Sequence, residues 1–327
     1  MQPFSYAKVT SHSAAISALE ADKNAAFIAG GTDLLGLMKD GVTQPHKLVD
    51  INNLPLANIE VAGDYLRIGA LCRLSDVASH PEIQANYPLI TQSLQQSASP
   101  QLRNMATVGG NLLQRVRCGY FRDAIFACNK RSPGRGCAAI TGYNRMHAIF
   151  GASENCIAVH PSDLAVTLTA LDAVILIQGR ETQRRVAIHD FYLLPDATPD
   201  KETDLQPGEL IVAVEIPVNS SYQRSHYLKV RDRTSYEFAL VSVAVAVEVA
   251  ENMIKSAKIA LGGVATKPWR LWEIEKLVAG KEINAVTFTD AALATVQDAK
   301  PQAHNEFKIE LVKRSLVRAL SVVTREL

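Results

Sequence analysis

Short apolar runs and amphipathic stretches alternate along most of the chain, and their periods predict its elements. Runs at 25–29 and 47–51 are short and apolar between polar neighbours, as buried strands are. Ser11 or Ser13 is placed to cap a helix running to about Glu20. Ile59 and Val61, then Gly63-Asp64, then Leu66, Ile68 and Ala70 predict a hairpin. Helices follow at 73–83, with Ser75 as cap, and at 88–97. A helix at 163–171, a strand at 174–178, a basic hairpin tip at 179–185 and a loop with Pro195, Pro199 and Pro207 lead to a strand at 209–216. The polar stretch 217–224 predicts a linker. Beyond it, strands are expected at 227–230, 239–249 and 253–261, the last two joined across 250–252. Helices at 268–279, 288–297 and 304–325 end the chain. The last carries Ile309, Val312, Leu316 and Leu320 at helical spacing, a stripe that belongs in a core.

Two glycine pairs break this pattern. A-G-G-T-D-L-L (Ala29, Gly30, Gly31, Thr32, Asp33, Leu34, Leu35) follows a strand and opens a helix, with Thr32 and Asp33 as candidate caps. Amide groups exposed at such a bend suit a phosphate or pyrophosphate, and the plain alternative is an ordinary strand-to-helix turn. The spacing is not G-x-G-x-x-G, so no Rossmann fingerprint is present. T-V-G-G-N (Thr107, Val108, Gly109, Gly110, Asn111) repeats the motif. Two such bends, each beside hydroxyl or amide side chains, suggest a cradle for one large polyanion.

Length and composition narrow the classes. A chain of 327 residues holds two or three domains. A formal net charge of +1 with 20% charged residues indicates no general attraction to nucleic acid or anionic membrane. The first residues, M-Q-P-F-S-Y-A-K-V-T, lack the basic and apolar regions of a secretory signal. The most apolar run, 238–249, is too short and too rich in β-branched residues to cross a bilayer, so no membrane insertion is expected.

Four of the five cysteines, Cys118, Cys128, Cys137 and Cys156, lie in one segment with gaps of nine, eight and eighteen residues. No C-x-x-C pair occurs, which excludes the zinc-ribbon and thioredoxin patterns. The segment is rich in Gly, Arg and Pro and offers little apolar surface to bury a thiol. A metal centre of open identity, two disulfides, or unligated thiols all fit the spacing. Arg115, Arg117, Arg122, Lys130, Arg131, Arg135 and Arg145 face only Asp123 and Glu154 within it, a charge that would offset thiolates on a metal. Cys72, outside the segment, is expected to be a buried thiol. The histidines are scattered, without H-x-x-x-H or a hydrolase elbow.

A-G-G-T-D-L, T-V-G-G-N and P-S-D-L-A, followed by G-E-L-I-V-A-V-E-I-P (208–217) and K-V-R-D-R (229–233), resemble the FAD-binding subunit of the xanthine dehydrogenase family of molybdenum hydroxylases. The cysteine-bearing insert resembles that of bacterial, often periplasmic, aldehyde oxidoreductases whose flavin subunit holds an extra [4Fe–4S] cluster. The resemblance implies an α+β fold: a two-part FAD-binding unit of the para-cresol methylhydroxylase (vanillyl-alcohol oxidase) type, then a C-terminal domain of sheet and helices. Its divisions are 1–60, 61–220 with the cluster insert at 113–158, and 224–327, the last of the CO dehydrogenase flavoprotein type. It further implies that 29–35 holds the FAD pyrophosphate, that 107–111 lies along the ribityl chain and flavin ring, and that Asp163 accepts hydrogen bonds from FAD hydroxyls. Lys229 would sit near the ring, Ile211 or Val212 would supply an apolar contact, and Cys118, Cys128, Cys137 and Cys156 would ligate the cluster. Ser97 stands where some members have an aromatic residue.

No residue is expected to be catalytic by itself. The implied role is electron transfer to an external acceptor from a large molybdopterin-binding subunit and a small [2Fe–2S] subunit. Periplasmic location by co-export with a signal-bearing partner is implied, the cytoplasm otherwise. A zinc-stapled interaction module and a stand-alone flavin reductase are the competing readings.

Overall fold

The structure, a computed structural model, describes residues 1–325, the side chains of Ser220 and Ser221 aside; the expected third division runs on to 326 and 327, which lie outside the described residues. Three strands, β1 (Ser5–Lys8), β2 (Ala25–Ile28) and β3 (Lys47–Asp50), form a parallel sheet in the order β1-β3-β2. The helix His12–Glu20 crosses between β1 and β2, and Ser11 caps it by accepting from the Ala14 amide at 3.2 Å. β1 is absent from the sequence reading because its residues are largely exposed and carry no apolar alternation.

A second sheet is antiparallel. It comprises β4 (Ile59–Ala62), β5 (Tyr65–Gly69), β6 (Val174–Gln178), β7 (Gln183–Ala187) and β8 (Leu210–Pro217), in the order β4-β5-β8-β6-β7. The expected helix at 73–83 is two helices, Leu74–Ser79 and Pro81–Asn86. Pro81 supplies no amide hydrogen and forces His80 into extended backbone, which ends the first helix. Ser75 is not its cap; Arg73 occupies that position, and the Ser75 hydroxyl donates to Asp76.

The third sheet contains β9 (Ser225–Val230), β10 (Val241–Ala250), β11 (Met253–Gly262) and the short β12 (Trp269–Arg270), in the order β12-β11-β10-β9, with β13 (Lys281–Glu282) on β11. Glu251 and Asn252 both take positive φ, +52° and +58°, which a two-residue hairpin turn requires. Alternation on β10 makes it the wall between two cores. Val241, Val243, Val245 and Val247 face the C-terminal helices, while Ala244 and Ala246 face the helices of the second sheet. Val312, Leu316 and Leu320 of the helix Phe307–Thr324 are fully buried against the valines, each worth roughly 1.5–3 kcal/mol. Residues 268–271, expected to open a helix, instead supply β12, and the helix is Trp272–Val278.

The stretch 217–224 is no loose tether. Tyr222 is buried and its hydroxyl donates to the Leu171 carbonyl at 3.0 Å. The Arg224 guanidinium donates to the carbonyls of Val323, Thr324 and Arg325 at the end of the last helix.

Candidate functional site

The two glycine bends face one cleft of about 570 Å³. Gly31 holds φ +70°, which an L-residue resists. Gly30 is fixed by space: a Cβ there would lie 2.0 Å from the Met105 carbonyl oxygen, just ahead of the second bend. Only a residue without a side chain lets the two bends approach. Ala29, Gly30, Gly31, Thr32, Asp33 and Leu34 line the cleft on one side, and Thr107, Gly109, Gly110 and Asn111 on the other. Ile211, Asp163 and Lys229 complete the set gathered there. Leu35 and Val108 do not line it; Val108 is packed in the core below, and Val212 is likewise buried behind the wall.

The amides of the bends differ. In the second bend the four amides from Val108 to Asn111 are satisfied within the fold: Val108 donates to the Cys72 carbonyl, Gly109 to that of Ala70, Gly110 to Thr107 Oγ1 at 3.2 Å, and Asn111 to the Thr107 carbonyl. Thr107 is thus the N-cap of the short helix Val108–Leu112. In the first bend the amides of Gly30, Gly31, Thr32 and Asp33 have no acceptor among the described residues. Consecutive free N–H groups fit the phosphates of a dinucleotide. The Arg117 Nε, buried in the same wall without an acceptor, adds positive charge.

Asp33 lines the cleft but does not take its expected role as a helix cap. Its carboxylate makes no capping bond. It accepts from the Arg115 amide (2.8 Å) and Arg122 (2.7 Å) and forms an ion pair with Arg117 (2.9 Å), tying the first bend to the start of the cysteine insert. The carboxylate of Asp163 is also engaged: Oδ1 accepts from the Tyr227 hydroxyl (2.7 Å), and Oδ2 from Ser97 (2.9 Å) and Lys229 Nζ (2.8 Å). Its Oδ1 retains one lone pair for a ligand hydroxyl. Burial and the Asp163 charge push the Tyr227 phenol well above its usual range, so it stays a donor. Lys229 is buried beside this carboxylate, a pair that neither residue could leave without stranding the other's charge. Tyr227 escaped the sequence reading because a tyrosine in a strand carries no motif.

A second cavity of about 590 Å³ adjoins the cleft, sharing Arg117, Pro161, Asp163, Glu237 and Phe238 with it. Its wall includes Cys118 and His147. The thiols stand together behind it. Cys128 and Cys156 are buried in one cluster with Leu37, Val116, Phe121 and Ala158, Cys118 packs against them, and Cys128 and Cys137 pair as a β-bridge. No disulfide joins them. Burial, and then the other cysteines nearby, push Cys118 up to about 12 and Cys156 up to about 11, so neither is a reactive thiolate unaided. Cys72, also buried, is pushed up to about 11. Among the described residues, no three His, Cys, Asp or Glu side chains converge closely enough for a single metal ion.

The basic residues of the insert are distributed otherwise than expected. Arg117 and Arg122 pair with Asp33, Arg115 and Lys130 with Glu202, and Arg145 with Asp232, all acids outside the insert. Arg131 donates to the carbonyls of Tyr120 and Phe121. Their main effect is to dock the insert on the fold, while Lys130 also favours the Cys156 thiolate.

The fold and cleft define a flavoprotein scaffold of the molybdenum hydroxylases. Residues 2–219 match the family described as the FAD binding domain in molybdopterin dehydrogenase, and residues 226–323 match the CO dehydrogenase flavoprotein C-terminal domain. The chain belongs to the FAD-binding subunits of the xanthine dehydrogenase and molybdenum hydroxylase family of oxidoreductases. It is 47% identical over 324 residues, 98% of each chain, to the aldehyde oxidoreductase FAD-binding subunit PaoB of Escherichia coli (strain K12). It is 30% identical over 325 residues, again 98% of each, to the glyceraldehyde dehydrogenase medium chain of Sulfolobus acidocaldarius. The fold is that of solved structures at lower identity. Carbon monoxide dehydrogenase from Hydrogenophaga pseudoflava superposes with TM-score 0.77 at 24% identity, covering 98% of this chain and 97% of that one. Quinoline 2-oxidoreductase from Pseudomonas putida 86 does so with TM-score 0.76 at 23% identity and the same coverage.

Proposed function

We propose that this chain is the FAD- and [4Fe–4S]-carrying electron-transfer subunit of a molybdenum-dependent aldehyde oxidoreductase. It would receive electrons from a large molybdopterin-binding subunit through a small [2Fe–2S] subunit and deliver them to an external acceptor. The observation that carries this reading is the run of free amides at Gly30–Asp33, opposite the second bend and tied by Asp33 to an insert that gathers four thiols. Aldehyde as the partner's substrate is supported by the likeness to PaoB and to the glyceraldehyde dehydrogenase chain.

Four cysteines would give a [4Fe–4S] cluster one thiolate for each iron. One zinc draws its sulfurs to about 2.3 Å from a single centre. In a cubane each sulfur binds its own iron, so the thiols stand further apart around a shared core. Cys118, Cys128 and Cys156 share one packed cluster, Cys137 bridges to Cys128, and Lys130 favours the Cys156 thiolate, which supports four thiolate ligands drawn from this insert. The FAD and the cluster, when bound, supply the redox chemistry. The chain's residues bind and orient: the first bend holds phosphates, the Asp163–Lys229 pair with Tyr227 and Ser97 fixes the far wall, and Ile211 supplies apolar contact. Location in the periplasm, by export together with a signal-bearing partner, belongs to the same proposal, and cell fractionation tests it.

Cofactor analysis of the purified protein tests the reading. One FAD and four irons per chain, with co-purification of a molybdenum subunit, are expected. A colourless, zinc-loaded protein would favour the interaction module. A flavoprotein that reduces acceptors without partners would favour the free-standing reductase.

A further inference from the structure

Beside the thiols stands a histidine that no motif announces. His147 Nε2 lies 3.2 Å from Cys118 Sγ, and both residues line the second cavity. The contact belongs to a built support. His147 is 6% exposed, and its carbonyl accepts from Asn305 Nδ2 (3.0 Å) and from Lys308 Nζ (3.1 Å). Lys308 is itself fully buried and makes its other bond to the Gly263 carbonyl at 2.7 Å. One turn back, Asn144 receives the His304 amide on Oδ1 (3.0 Å) and donates through Nδ2 to the carbonyls of Ala139 and Ile140. The C-terminal lobe therefore grips residues 144–148 from one side, and the imidazole projects from the other towards the sulfur.

Nδ1 of His147 is buried and has no partner. A thiolate accepts hydrogen bonds and gives none, so against a ligating Cys118 the ring carries its proton on Nε2. We propose that His147 is a positioning residue for the [4Fe–4S] group, donating Nε2–H to the Cys118 thiolate and so raising the reduction potential of the cluster. The inference rests on the cluster reading above. Reduction adds negative charge to the iron–sulfur core, and hydrogen bonds to its sulfurs stabilise that charge. Burial leaves the effect weakly screened. A second such donor is the Ala158 backbone amide, 3.5 Å from Cys156 Sγ, which every substitution but proline retains.

The test compares the wild-type protein, purified anaerobically, with His147→Leu and His147→Gln. Iron content and the low-temperature EPR signal of the dithionite-reduced wild type come first. Absence of iron there defeats the cluster reading and this inference with it. With the cluster present, an EPR-monitored redox titration should place the His147→Leu midpoint lower by about a tenfold change in the one-electron equilibrium, about 59 mV. His147→Gln, which keeps an N–H, should recover most of that shift, and the flavin midpoint should stay fixed in all three. Loss of iron from His147→Leu but not from His147→Gln would also support the role. An unchanged midpoint in a fully loaded His147→Leu protein overturns it, and so does loss of iron from both variants.

Discussion

The two glycine bends look alike in sequence and behave as opposites. The first leaves the amides of Gly30 to Asp33 free and turns its one carboxylate sideways, onto Arg115, Arg117 and Arg122. The second satisfies the amides of Val108 to Asn111 internally, through Thr107 and the carbonyls of Ala70 and Cys72. A pair of glycines therefore says that backbone must come close to something, without saying what. At the first bend the neighbour is the protein on one flank and a ligand on the other. At the second, Gly109 approaches Ala70, with 3.1 Å left between Ala70 Cβ and an added Cβ.

Substitutions can break this contrast or sharpen it. The largest effect is expected at the buried ion pair of the far wall, which faces both bends across the cleft. Lys229→Met strands the Asp163 carboxylate and should cost about 3–5 kcal/mol in denaturant unfolding. A loss under 1 kcal/mol would mean that the Asp163 carboxylate is held by Tyr227 and Ser97 without the lysine. Gly30→Ala drives a methyl into the Met105 carbonyl; about 3 kcal/mol of destabilisation and loss of bound FAD are expected together by calorimetry and flavin absorbance. Asp33→Asn removes the charge shared by Arg117 and Arg122, and about 1.5–3 kcal/mol should be lost, with faster proteolysis inside 113–158 as the marker. Thr107→Val deletes a cap and should cost about 1 kcal/mol. Smallest of all, Gly110→Ala meets only Thr107 Oγ1 at 3.0 Å, so stability should change by less than about 0.5 kcal/mol. FAD affinity should nevertheless fall if that bend contributes shape; retained affinity would leave the first bend as the sole contact that matters.

Much of the fold can be read from periodicity because its cores are regular. The valines and alanines of β10 and the stripe on the last helix announce themselves, and the structure buries both. Boundaries failed where one residue outvoted a pattern, as Pro81 did in splitting a helix, or where exposure erased the pattern, as in β1. In the cleft, the glycines, Asp163 and Lys229 were visible through motifs. The partners that decide what those residues do were not. Asp33 faces arginines 82 to 89 positions away, and Asp163 faces a tyrosine 64 positions on. Charge counting within the insert misled for the same reason, since the balancing acids Asp33, Glu202 and Asp232 all lie beyond its ends.

The junction between the lobes has a bearing on how the chain may be divided. Cutting at 217–224 would uncover Tyr222 and strip the closing carbonyls of the last helix of their Arg224 donor. Neither fragment would then be a fair sample of its half. A reporter or affinity handle is better inserted at the Glu251–Asn252 turn, where both residues stand exposed.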